Sequence, residues 1–175
     1  MAVITAVSSL SASAITALIA YVIAKRNLNH AAEMAVLDRA ARLTEQHRNA
    51  RRDAYAAYVT ASLASLRDTS MLSNSKNLES IESWNAARVI ARDSYNAMVI
   101  AQGVVKMEAS GSLARDAENL RKCVLEYRQA VEKAVRPGLS NEERQEFRED
   151  AKSKSTLAFA ALSAYTEMAR SDLSH

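Results

Sequence analysis

At 175 residues, with three glycines, one proline and one cysteine, the chain is long enough for one compact domain plus a further segment. It is too poor in turn residues, and too rich in alanine and other helix formers, to read as a sheet protein. No stretch alternates apolar and polar residues over a strand's length, so the expected fold is all-α. The single Cys123 excludes an intrachain disulfide and suits a reducing compartment. The net charge of +3 arises in one place. Every charged residue lies from Lys25 onward. Between 25 and 53 there are seven basic residues (Lys25, Arg26, Arg39, Arg42, Arg48, Arg51, Arg52) against four acidic ones (Glu33, Asp38, Glu45, Asp53), which leaves 54–175 neutral overall. No compact Lys/Arg run is interleaved with aromatics, so nucleic acid is not an expected partner.

Residues 2–24, AVITAVSSLSASAITALIAYVIA, carry no charge and are followed directly by Lys25-Arg26. As a helix they would extend about 34 Å, enough for a hydrocarbon core of about 30 Å. Tyr21 suits a membrane interface. A cleaved signal peptide would need a basic region ahead of the apolar run, and only Met1 stands there. The expectation is therefore a transmembrane helix over 2–24. The positive-inside rule places the N-terminus outside and the bulk of the chain in the cytosol. Lys25 and Arg26 would meet lipid headgroups. Ala6, Ser9, Ser13, Ala17, Ala20 and Ala24 form one stripe of small residues, a pattern through which membrane helices associate.

No helix breaker appears between Met1 and Ser70, so the span is expected to continue as one helix. Residues 25–53 would be a basic juxtamembrane stalk and about 54–70 the first helix of a bundle. MLSNSKN at 71–77 reads as a turn. A second helix is expected over about 78–107, with an apolar stripe of Trp84, Ala87, Ala91, Tyr95 and Met98, and with Gly103 as a possible bend. After ASGS at 109–112, a third helix over about 112–135 carries Leu113, Ala117, Leu120, Val124, Tyr127, Val131 and Ala134 at spacings of four and three, a coiled-coil-like seam. Arg136-Pro137-Gly138 stops it. Ser140-Asn141-Glu142-Glu143 has the form of a capping box and opens a fourth helix over about 141–171, apolar at Phe147, Ala151, Ala158, Ala161, Tyr165 and Met168. Short connections imply an antiparallel up-down-up-down bundle spanning 54–172.

Catalytic constellations are not evident. A carboxylate-bridged di-metal bundle needs Glu-x-x-His motifs, and none of His30, His47 and His175 follows a Glu by three. His30-Ala-Ala-Glu33 has the order reversed. Cys123 lies on an apolar helix stripe with no histidine at its height, and reads as a small buried hydrophobe. No Gly-rich loop could cradle phosphate. The chain is thus expected to be no enzyme, with no metal, cofactor or small-molecule substrate evident.

One motif is written twice. RRDAYAAYVTA at 51–61 and ARDSYNAMVIA at 91–101 share six of eleven positions. The copies are centred on the turn at 71–77, so in a hairpin they lie at one height. Arg52 would meet Asp93, Asp53 would meet Arg92, and Tyr55 and Tyr95 would share a seam. Such exposed pairs, worth about 0.2–1 kcal/mol each, would chiefly fix register. An Arg/Asp/Tyr binding cluster is the competing reading.

A short N-terminal span ending in Lys25-Arg26, a polar helical stalk and RRDAYAAYVTA together resemble small, mostly uncharacterised single-pass membrane proteins of actinobacteria. The resemblance covers residues 1 to about 66. It implies a topology and no activity. The functional expectation is a membrane-anchored helical bundle acting as an oligomeric scaffold or partner-binding module at the cytosolic face, with membrane lipid, copies of itself and an unidentified protein as partners. The alternative is a membrane-perturbing effector of toxin or defence type whose spans assemble, with Ser and Thr at 5, 8, 9, 11, 13 and 16 wetting one face. A bundle wholly in solution, its N-terminal helix completing the core, is the third reading.

Overall fold

The computed structural model describes the backbone of 2–74, 81–109 and 111–174, and the side chains of 17–73, 81–109 and 111–174. Four helices and no strand occur among these residues: α1 Ala2–Asn74, α2 Ile81–Glu108, α3 Gly111–Ala134 and α4 Asn141–Ser174. The chain divides into two units, Met1–His47 and Arg48–His175.

In the first unit, every described side chain from Ala17 to His47 is exposed. Among the described residues no helix is long and apolar enough to cross a membrane. Of the uncharged segment 2–24, only 17–24 have described side chains, so most of the expected span lies outside them.

The second unit is a helical bundle. α1 runs without interruption through the expected stalk and past the expected end at 70, reaching Asn74. Leu72, 1% exposed, explains the extension: it continues the buried seam of Tyr58, Ser62, Ser65 and Thr69 by one more turn. The turn at 71–77 is therefore helical as far as Asn74. Gly103 does not end α2, because a glycine within a helix costs only about 1 kcal/mol and α2 has its buried stripe on both sides. On α3 all seven seam positions are buried. α4 buries Ala151, Ala158, Leu162, Tyr165 and Ala169, while Met168 points outward. The expected stripe drifted by one residue there.

Helix ends follow local chemistry. Gly138 takes a φ of 87°, a left-handed conformation open to glycine and strained for other residues. The capping box forms in both directions: the Ser140 N–H donates to Glu143 Oε2 at 2.9 Å, and the Glu143 N–H donates to Ser140 Oγ at 3.2 Å. Those bonds hold the Glu143 carboxyl below its usual range.

Contacts between helices establish antiparallel neighbours. On α1 and α4, Arg48 Nη2 donates to the Leu173 carbonyl at 3.0 Å, and Tyr55 Oη donates to Asp172 Oδ2 at 2.7 Å. Tyr58 and Tyr165 meet edge-to-face, with centroids 5.0 Å apart. Tyr58 also donates to the Ala117 carbonyl of α3 at 2.7 Å. α2 runs back along α3, with Lys106 near Glu118 and Arg88 near Glu132. Lys154 of α4 meets Glu126 of α3 at 3.2 Å. α3 is thus the element on which the other three converge, which suits its long uninterrupted apolar seam.

Candidate functional site

The doubled motif does not form the expected reciprocal pair. Arg52 and Asp53 are exposed and make no ion pair or side-chain hydrogen bond among the described residues. Arg92 pairs instead with its neighbour Asp93 at 3.6 Å, and both are largely exposed. The cause is helix phase. The buried side of α1 is set by Tyr55, Tyr58 and Ser62, and at 100° per residue this turns 52 and 53 to solvent. Both tyrosines are buried, yet they serve different neighbours. Tyr55 reaches α4 through Asp172, with Arg51 Nη1 3.6 Å from the same carboxylate oxygen. Burial first, and then Asp172, push the Tyr55 hydroxyl well above its ordinary value. Tyr95 faces α3, where its hydroxyl accepts from Arg121 Nη1 at 3.1 Å.

The small-residue stripe divides between described and undescribed side chains. Ala6, Ser9 and Ser13 lie outside the described side chains, and Ala17, Ala20 and Ala24 are exposed. Lys25 and Arg26 are exposed as well. Cys123 is half-buried against the core, and burial pushes its thiol up, away from the reactive thiolate. No group of three or more His, Cys, Asp or Glu side chains comes together among the described residues.

What the fold does assemble is a polar face between α2 and α3. Its lower part centres on Glu118. Gln102 Nε2 and Lys106 Nζ donate to Glu118 Oε2 at 2.9 and 2.8 Å, and Arg121 donates from Nε and Nη2 to Oε1. These bonds, Arg121 foremost, lower the carboxyl from an ordinary 4.5 to about 2. A depressed acid contributes stability above its unfolded value and loses it as pH falls through the folded one. Glu118→Gln is therefore expected to flatten the stability profile between about pH 4.5 and pH 2 and to leave its shape near neutrality unchanged. Urea unfolding at a series of acid pH values checks this. The effect is small, because the side chain is 42% exposed and water screens it.

The upper part is a groove of about 300 Å³ lined by Asn85, Arg88, Val89, Arg92, Arg128 and Glu132. It adjoins a second hollow of about 420 Å³ that adds Trp84, Gln129, Lys133 and Arg136. Helical spacing creates both walls. Trp84, Arg88 and Arg92 recur every four residues on α2, and Arg128 and Glu132 do so on α3, so each set occupies one face, with Arg136 just beyond the end of α3. Arg128, 15% exposed, lies over the Tyr95 ring at 4.7 Å. Arg88 lies over the Trp84 ring at 5.2 Å. Glu132 stands between them, 3.4 Å from Arg88 Nε and 3.6 Å from Arg128 Nε. The buried Trp84 Nε1 and Arg128 Nε have no hydrogen-bond acceptor among the described residues. The sequence predicts a core stripe for Trp84 and a helix-pairing role for Arg92, and marks no role for Arg88 or Arg128.

A third surface is apolar. The outward side of α2 exposes Ile90, Ile100, Val104 and Met107, with Ile100 at 74% and Met107 at 77%. Together with Ala97 they follow spacings of seven, three, four and three, a second stripe opposite the buried one. α2 therefore has an apolar face on each side, only one of which is buried among the described residues. Compared with known proteins, the chain matches no family model, no curated protein and no solved structure.

Proposed function

We propose that the protein is a non-enzymatic, membrane-anchored helical bundle that assembles with copies of itself and serves as a scaffold at the cytosolic face. In this reading residues 2–24 cross the bilayer with the N-terminus outside, and 25–53 form a basic stalk whose first charges, Lys25 and Arg26, lie at the headgroups. The observation that carries it is the complete exposure of α1 from Ala17 to His47, apolar residues included. Leu18, Ile19, Val22 and Ile23 are each more than half exposed. A helix gains most of its stability from packing an apolar face, so this stretch calls for cover. Lipid suits the uncharged part up to Ala24. Beyond it Leu28, Ala32, Val36, Ala40 and Leu43 follow spacings of four and three along one stripe, and a second copy supplies a matching helix there. The outward stripe of α2 is a further surface for the same copy.

Carbonate extraction of membranes containing the full chain tests the anchor. The protein is expected in the pellet, and a chain lacking 2–24 in the supernatant; release of the full chain would sink the reading. Cross-linking in the same membranes is expected to trap oligomers, and monomers alone would remove the scaffold role. Leakage of dye from vesicles carrying the protein would favour the membrane-perturbing effector instead.

A further inference from the structure

We infer that the groove between α2 and α3 binds a phosphate-bearing ligand, a phosphomonoester or pyrophosphate group held by Arg88, Arg92 and Arg128. The hollows it joins bring five basic side chains, these three with Lys133 and Arg136, against the single carboxylate of Glu132. Arginine's planar fork matches phosphate oxygens bidentately, which a lysine does not. The walls are preorganised: Arg128 is held on the Tyr95 ring and Arg88 on the Trp84 ring.

Two further features point to an acceptor from outside the chain. Trp84 Nε1–H and Arg128 Nε–H are buried donors with no acceptor among the described residues, and a buried donor left unsatisfied is costly. Glu132 does not meet that need. It stands 3.4 Å from Arg88 and 3.6 Å from Arg128, longer than the 2.7–2.9 Å or so of a good charge-assisted bond. The internal carboxylate is thus a loosely held competitor that a doubly charged phosphate displaces from the two guanidiniums. A volume of about 300 Å³ accommodates a phosphate or pyrophosphate group, at the small end of ligand sites. The site stands on side chains of the bundle alone and does not depend on membrane attachment.

The chain has one tryptophan, so the emission of Trp84 reports on the groove directly. The full chain in detergent micelles is titrated with pyrophosphate at constant ionic strength. In a parallel arm it is mixed with phosphatidylcholine vesicles with and without phosphatidic acid. A saturable change in Trp84 emission is expected. A response to pyrophosphate assigns a free phosphate ligand, and a response confined to phosphatidic acid vesicles assigns a lipid headgroup. Arg92→Gln removes an exposed side chain whose one ion pair among the described residues is with its neighbour Asp93, so the fold is kept while binding weakens about tenfold, as for loss of one charge-assisted contact. Glu132→Gln removes the internal competitor and is expected to tighten binding severalfold, a gain that a merely structural ion pair would not produce. Absence of saturation in both arms would overturn the site. So would a change that potassium chloride reproduces at equal ionic strength, or binding that both variants leave unaltered.

Discussion

Replacing Tyr58 by alanine is expected to lower the melting temperature of the bundle by about 10–20 °C, from a loss of about 3–5 kcal/mol. Tyr58 is fully buried, and its ring packs edge-to-face on Tyr165 at 85° between planes. Its hydroxyl donates to the Ala117 carbonyl, so one side chain joins α1 to α3 and α4 together. Truncation leaves a cavity that three helices would have to close at once. Phenylalanine at the same position separates the contributions. It keeps the ring and removes one donor, costing about 0.5–1.5 kcal/mol. Tyr165→Phe should cost still less, because the buried Tyr165 hydroxyl has no partner among the described residues. Thermal unfolding by circular dichroism ranks the three variants. A Tyr165→Phe loss as large as that of Tyr58→Phe would mean that the hydroxyl of Tyr165 is bonded after all.

The second large effect contrasts two faces of the bundle. Leu120→Ala, in the middle of the α3 seam and 0% exposed, should cost about 2–5 kcal/mol. Ile100→Ala, 74% exposed on the outer side of α2, should change the stability of the single chain by no more than about 0.5 kcal/mol. The same substitution should reduce self-association, measured by sedimentation in detergent, if a second copy covers that stripe. A variant with unchanged association removes α2 from the proposed assembly and leaves the α1 stripe as its remaining surface. Denaturant unfolding reports the first pair of values, and sedimentation the last, so the two outcomes are read independently.

The helices were legible in the sequence to different degrees, and the reasons are local. On α3 all seven seam positions are buried, because leucine, valine and alanine at spacings of four and three leave one possible inward face. α4 was readable at Ala151, Ala158 and Tyr165, while Phe147 is only half-buried and Leu162 and Ala169 are inward in place of Ala161 and Met168, because alanine-rich sequence makes neighbouring phases nearly equivalent. α1 hid its core side. Ser62, Ser65 and Thr69 are buried polar residues, and Ser62 is accommodated by donating to the Tyr58 carbonyl at 2.7 Å. These polar residues interrupt the apolar periodicity of that face between Tyr58 and Leu72, so its phase, and with it the fate of Arg52 and Asp53, could not be read.

The groove shows the same limit from the other side. Its residues recur every four positions on α2 and α3, and the short connection near 109–111 sets Arg88 level with Glu132 and Arg92 level with Arg128. The doubled motif marks α1 and α2, whereas α2 and α3 share no repeated sequence that would indicate their register.

Sequence by itself determined that the chain is helical, where Pro137 and Gly138 interrupt it, how Ser140 and Glu143 start the last helix, and which side of α3 is inward. Each of these depends on residues within one or two turns of each other, through backbone hydrogen bonds, capping and apolar spacing. Tertiary structure alone decided that Tyr55 meets Asp172, that Tyr95 meets Arg121, and that the arginines of α2 and α3 share one groove. Those outcomes depend on how far each helix rotates about its own axis and which neighbour it packs against. Both are fixed by close packing between segments distant in sequence, where a turn of 100° per residue separates a buried partner from an exposed one.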